Sequence, residues 1–119
     1  MRSVPDSVFG QAVLFRTGWD DHWGTSLYGA NEHPHLSTEA TESLVERGAV
    51  IAGIDPVNID GTGGDERPVH TSLLRAGVLI VENLCGPDQL PRDGASFTAT
   101  PPAFSSLPSI PVRAYARIS

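Results

Sequence analysis

Apolar residues along this chain fall into short runs separated by polar, glycine-rich and proline-rich joints. Ala12–Phe15 is continuously apolar and ends at Arg16-Thr17-Gly18, the pattern of a buried strand opening into a loop. Beyond that loop, Ser37 or Thr38 can cap a helix that runs through Glu39, Glu42, Leu44 and Val45 to Arg47. Acidic residues stand in its first turn, where the helix dipole favours them, and Gly48 lies just past its end. Ala49–Ile54 predicts a second apolar strand, stopped by Asp55-Pro56. Val69–Ala76 fits a short helix closed by Gly77, and Val78–Val81 a third strand before Cys85-Gly86-Pro87. The order strand, loop, helix, strand implies a crossover unit and parallel pairing.

Two further strands follow among proline-rich joints, Ser96–Thr100 and Val112–Ile118. In the last, Val112, Ala114 and Ala116 share one face while Arg113, Tyr115 and Arg117 share the other, the period of a half-buried strand. Asp60–Glu66 holds three glycines and no apolar side chain, which predicts an exposed turn or flexible loop. The expectation is an α/β fold of one domain over residues 1–119, a mixed sheet carrying one clear helix and one short one.

Composition narrows the function classes. At 119 residues the chain is one domain at most, with a modest core, since a domain near this size buries roughly 60–70% of its unfolded surface. Its 12 glycines and 10 prolines fit short elements with many loops. A net charge of -6, with 8 basic residues that form no run, excludes an electrostatic footprint for nucleic acid. No apolar stretch approaches the roughly 18 residues of a membrane span. Met1–Gln11 lacks the basic start and hydrophobic core of a signal peptide, so the expected compartment is the cytoplasm. Cys85 is the only cysteine, which rules out an intrachain disulfide and a thiolate zinc cage built from this chain alone. Beside an apolar strand it reads as a small packed residue.

His70 and Glu82 carry the chemistry of interest, because imidazole nitrogen and carboxylate oxygen are the usual ligands of a hydrolytic zinc or manganese site. A helix of about seven residues rises roughly 10 Å. A returning strand of four or five covers roughly 15 Å. A reversal at Gly77 can therefore lay Glu82 near the helix start. The plain alternative makes His70 a helix-start residue and Glu82 an exposed strand end. His33-Pro34-His35 and Asp20-Asp21-His22 are ligand-rich runs that read first as solvated loops. Gly61-Thr62-Gly63-Gly64 has no following Lys-Ser or Lys-Thr and stands among Asp60, Asp65 and Glu66, which would repel phosphate. No Gly-x-Ser-x-Gly elbow is present for a serine nucleophile.

Taken together, several blocks in order resemble the C-terminal half of the cyclase family of metal-dependent hydrolases, which includes bacterial kynurenine formamidases of tryptophan catabolism. These blocks are Ala12–Trp19, His33-Pro34, Leu44–Gly48, Gly53-Ile54-Asp55, Asn58-Ile59-Asp60, the His70–Leu84 unit and Pro111–Ala114. The resemblance implies part of the swivelling β/β/α fold of that family. It also implies that His70 and Glu82 are ligands of a two-metal centre, zinc or manganese, the Glu bridging and the His binding one ion. Asn58 stands where the formamidase branch commonly has Ser, which points to a sister branch. The family's His-x-Gly-Thr-His-x-Asp-x-Pro-x-His signature, which supplies the other ligands and a catalytic His, is expected before Ala12 and is not found there. His22-Trp23-Gly24-Thr25 matches its first four positions, but Ser26, Tyr28 and Ala30 break the rest.

Three readings follow. One is a shortened or split family member, acting on a small amide, formamide or lactone once a second chain or another copy completes the site. In this reading no catalytic residue lies in the chain itself. Another is a non-catalytic domain that keeps part of the fold and associates with itself or another chain, because removing half a fold uncovers apolar surface and strand edges. A fragment with no role of its own is the third possibility.

Overall fold

The computed structural model describes Val4, residues 8–103 and residues 105–118, and divides into two compact units, Met1–Pro87 and Asp88–Ser119. Of the stretch Met1–Gln11 read above for a leader, residues 1–3 and 5–7 lie outside the described residues.

The first unit is a parallel sheet with two helices. Strands β1 (Ala12–Phe15), β2 (Ile51–Ile54) and β3 (Leu79–Val81) pair in the order β1-β2-β3, with Ala12 opposite Ile51 and Ile51 opposite Leu79. Helix α1 (Thr38–Glu46) crosses from β1 to β2 and helix α2 (Pro68–Arg75) from β2 to β3. The helices pack against each other, which places both on one face of the sheet. Their apolar positions follow helical spacing: Thr41 and Leu44 are buried on α1, Val69 and Leu73 on α2. Leu44, Val69 and Leu73 meet Phe15, Leu36, Ala52, Ile54, Ile59 and Val78 in the core. Burial of each leucine of that size contributes roughly 1.5–3 kcal/mol.

The helix ends explain where the strands begin. Ser37 caps α1, its side chain accepting from the Ala40 backbone N–H at 3.1 Å. Both helices stop at a glycine with positive φ, Gly48 at 77° and Gly77 at 80°, and the next residue turns its N–H back into the last turn. Ala49 donates to the Leu44 carbonyl at 3.1 Å and Val78 to the Leu73 carbonyl at 2.9 Å. Those two residues therefore complete the helix ends, and the strands start later than the apolar runs suggest, at Ile51 and Leu79.

The second unit contains an antiparallel pair, β4 (Ser96–Thr100) with β5 (Arg113–Arg117), in which Thr98 faces Tyr115 and Phe97 faces Ala116. The fold class is α/β with parallel and antiparallel pairing, as expected, the two kinds of pairing lying in separate sheets. In β5 only Ala116 is partly covered, and Val112 and Ala114 are exposed, so the alternation seen in the sequence does not produce a half-buried strand within this two-stranded ribbon. Among the described residues no helix is long and apolar enough to cross a membrane.

Candidate metal-ligand site

Parallel sheets gather polar side chains at the carboxyl ends of their strands, where the chain leaves the ladder and ligands commonly bind. Here Thr17 to Asp20 follow β1, Asp55 to Asp60 follow β2, and Glu82 and Asn83 follow β3. Asn83 and Leu84 donate back to the carbonyls of Pro56 (3.0 Å) and Ile54 (3.2 Å), which holds the segment after β3 against the segment after β2.

Asp60 organises the site. The first turn of α2 begins with Pro68, which has no N–H to satisfy, and Arg67 before it supplies no side-chain cap. The orphan N–H groups of Val69 and His70 instead reach the Asp60 carboxylate, Val69 to Oδ1 at 2.8 Å and His70 to Oδ2 at 2.9 Å. The same Oδ2 accepts from His70 Nδ1 at 2.7 Å. Burial works to raise the Asp60 pKa, but the backbone N–H groups of His70 and Val69, with the His70 side chain, outweigh it and hold the carboxyl below its ordinary value. Asp60 is 1% exposed. The polar, glycine-rich segment 60–66 therefore is not exposed throughout; its first residue faces inward because two helical N–H groups and an imidazole need an acceptor.

His70 is thereby fixed in orientation. With Nδ1 donating to Asp60, its Nε2 points to Glu82 Oε2 at 3.2 Å and to Arg67 Nη2, also at 3.2 Å. Glu82 Oε2 is itself steered by the Ile59 N–H at 2.8 Å. The two contacts at Nε2 ask opposite roles of one nitrogen. If it accepts from Arg67, its lone pair and the Glu82 oxygen face each other, an arrangement satisfied by a cation. His70 is 15% and Glu82 25% exposed on the side chain, so both atoms are reachable from solvent.

These two donors fit a divalent cation in type, a neutral imidazole nitrogen beside a carboxylate oxygen with a second carboxylate on the far ring nitrogen. They fit as part of a ligand set, since no group of three or more His, Cys, Asp or Glu side chains is arranged to hold a metal ion among the described residues. On the outer side of Asp60 lies an open cavity of about 490 Å³, bordered by His35, Ser37, Gly61, Gly64 and Pro68.

Other ligand-rich runs serve the fold. Asp20 accepts from the Gly86 N–H at 2.9 Å and donates its own N–H to buried Asp55 at 3.2 Å. Asp55 also accepts from the Thr17 N–H (3.0 Å) and hydroxyl (2.7 Å). His33 is buried, contrary to its expected solvent-facing loop. Its Nδ1 donates to the Pro34 carbonyl at 2.8 Å and its Nε2 accepts from Thr62, while His35 stays exposed. Cys85 is exposed rather than packed, because it lies in the turn after β3 and not in the strand. Sequence reasoning missed Asp60 as the partner of His70. The available signal was a carboxylate at the end of Asn58-Ile59-Asp60, ahead of a helix with Pro in its first position and no capping side chain.

Comparison with known proteins converges on one group. Residues 6–61 match the Cyclase family model, described as "Putative cyclase"; the match ends at Gly61, short of His70 and Glu82. A kynurenine formamidase of Bacillus thuringiensis (strain Al Hakam) is 33% identical over 98 residues, 78% of this chain and 46% of that protein. An isatin hydrolase crystallised with the product analogue thioisatinate superposes with a TM-score of 0.81 at 27% identity, over 92% of this chain and 46% of the other. A structure described as a potential metal-dependent hydrolase with cyclase activity superposes at 0.77 and 25% identity, over 92% and 52%. The chain thus spans about half the length of the relatives it matches.

Proposed function

This chain belongs to the cyclase family, and from that premise we propose that it contributes part of a hydrolase metal site, with His70 Nε2 and Glu82 as ligands to a divalent cation, zinc or manganese. The observation that supports this reading is the approach of Nε2 and Oε2 to 3.2 Å while Asp60 holds the opposite ring nitrogen. A hydrolytic zinc takes about three protein ligands and keeps one position open. In this chain alone His70 and Glu82 would hold the cation with water in its remaining positions; the further ligands of a working centre, and a proton-transferring group, come from a second polypeptide segment.

When bound, the cation would polarise the carbonyl of a small amide, formamide or lactone and activate water toward it. The chain's own residues do the positioning. Asp60 fixes the ring plane and tautomer of His70, and the Ile59 N–H holds one Glu82 oxygen toward it. The proposed substrate class follows the relatives, a formamidase and an isatin hydrolase, whose substrates are small amide-type molecules.

Metal content of the purified chain after exposure to zinc or manganese tests this reading against a His70→Ala, Glu82→Ala double variant. Metal retained by the chain and lost in the double variant is the expected result, and it justifies formamide and lactone assays with the completing segment present. Equal metal in both, or none in either, removes His70 and Glu82 as ligands.

A second reading, a domain that works by association, draws on exposed apolar side chains. Leu79 on edge strand β3 is 62% exposed, and Val50 and Leu74 are exposed too. Self-association of the metal-free double variant, read by light scattering, favours it; a monomer under those conditions rejects it.

A further inference from the structure

We propose that Arg67 is a displaceable counter-ion of the His70–Glu82 pair: without a divalent cation its guanidinium supplies the positive charge at Nε2, and it must leave when a cation binds. This rests on the metal-ligand reading given above and goes beyond it by naming a residue that sets the affinity. Arg67 Nη2 donates to His70 Nε2 at 3.2 Å, and the nitrogen it engages is the one facing Glu82 Oε2 at 3.2 Å. Nδ1 is already committed to Asp60, so Nε2 is the only lone pair the imidazole offers. Arginine and cation therefore compete for one electron pair.

Helix stability gives no reason for a cation here. Arg67 stands at the N-terminal boundary of α2, the positive end of the helix dipole, where an acidic residue is favoured, and its side chain does not cap the helix. It is exposed, so it can swing into water without opening the core. Its neighbours in sequence, Asp65 and Glu66, and the nearby Asp60 and Glu82 are acidic. At this site the guanidinium occupies the His70 Nε2 lone pair, and its charge repels an incoming dication.

Zinc titration by calorimetry on the full 119-residue chain, on Arg67→Ala and on Arg67→Lys tests this. Arg67→Ala should bind zinc about tenfold more tightly, the order expected when one solvent-screened like charge is removed from beside a dication. Arg67→Lys, which keeps the charge, should stay near the parent value. A variant damaged in its fold would bind more weakly, so tightening cannot come from damage. The same titration on His70→Ala, Glu82→Ala, with and without Arg67→Ala, separates the two readings. Zinc lost in that pair but unchanged or weaker in Arg67→Ala overturns the counter-ion role alone. Zinc bound equally in all variants, or in none, overturns the metal site and the counter-ion role with it.

Discussion

One carboxylate oxygen, Asp60 Oδ2, accepts from both the backbone N–H and the ring Nδ1 of His70, at 2.9 and 2.7 Å. Helix capping and imidazole orientation thus draw on one carboxylate, so loss of Asp60 uncaps α2 and frees the ring together.

Asp60→Asn should therefore damage both properties. The amide keeps one acceptor oxygen but presents a donor to a second N–H, leaving a buried group unsatisfied at a cost of about 1–3 kcal/mol. Urea unfolding should show that loss. If the metal site holds, zinc affinity should also fall by about 10–100-fold, the usual effect of removing a carboxylate behind a ligating histidine. An Asn variant as stable as the parent would mean that Asp60 does not cap α2.

Acid should expose the same group. The folded Asp60 pKa lies below its ordinary value of 3.8, so the unfolded chain takes up the proton first. Its contribution is present above about pH 4 and disappears as pH falls through the lower folded value. Urea midpoints measured from pH 6 downward should drop more steeply below pH 4 for the parent than for Asp60→Asn. Parallel curves would contradict the assignment.

Tyr28 should show the opposite limb. Burial, then the charges of Asp55 and Asp20, push its pKa from 10.0 up to about 12, and its hydroxyl lies against the Asp55 carbonyl and Asn83 Oδ1. A folded pKa above the unfolded one favours the protonated fold, so stability is full below pH 10 and declines as pH rises toward 12. The loss is about 2–3 kcal/mol across that window. Ultraviolet titration in a Tyr115→Phe background, where Tyr28 is the sole tyrosine, should show ionisation near pH 12. Ionisation near pH 10 would show the hydroxyl to be open to water.

Leu44→Ala tests the core beneath the site. Leu44 is fully buried on the α1 face turned to the core, and its truncation should lower stability by about 2–5 kcal/mol in denaturant unfolding. Val45→Ala, one position on and partly exposed, should change stability by less than about 1 kcal/mol.

Periodicity located the elements because their apolar positions answer to a local repeat. Ala12–Phe15, the Ser37 cap and Ser96–Thr100 appear where the sequence places them. Strand starts were harder, since Ala49 and Val78 look like strand residues and are spent on closing helices. Two candidate ligands were legible from residue type, and their separation of 3.2 Å is a property of the fold. The supporting contacts were not legible. Asp60 to His70, Arg67 to Nε2 and His33 to Thr62 depend on how a polar loop lies against a helix start, and no periodic signal encodes that.

The two sides of the candidate site enter the chain on opposite sides of α2, Asp60 before it and Glu82 after β3. An unfolded chain carries the same His and Glu with nothing to set their distance. A cation bound at this pair as proposed would therefore be coupled to closure of the β2-α2-β3 unit, and would raise the free energy of unfolding in proportion to the logarithm of its concentration. A thermal scan across zinc concentrations would then act as a folding sensor for this one supersecondary unit, reporting on its assembly without a spectroscopic label.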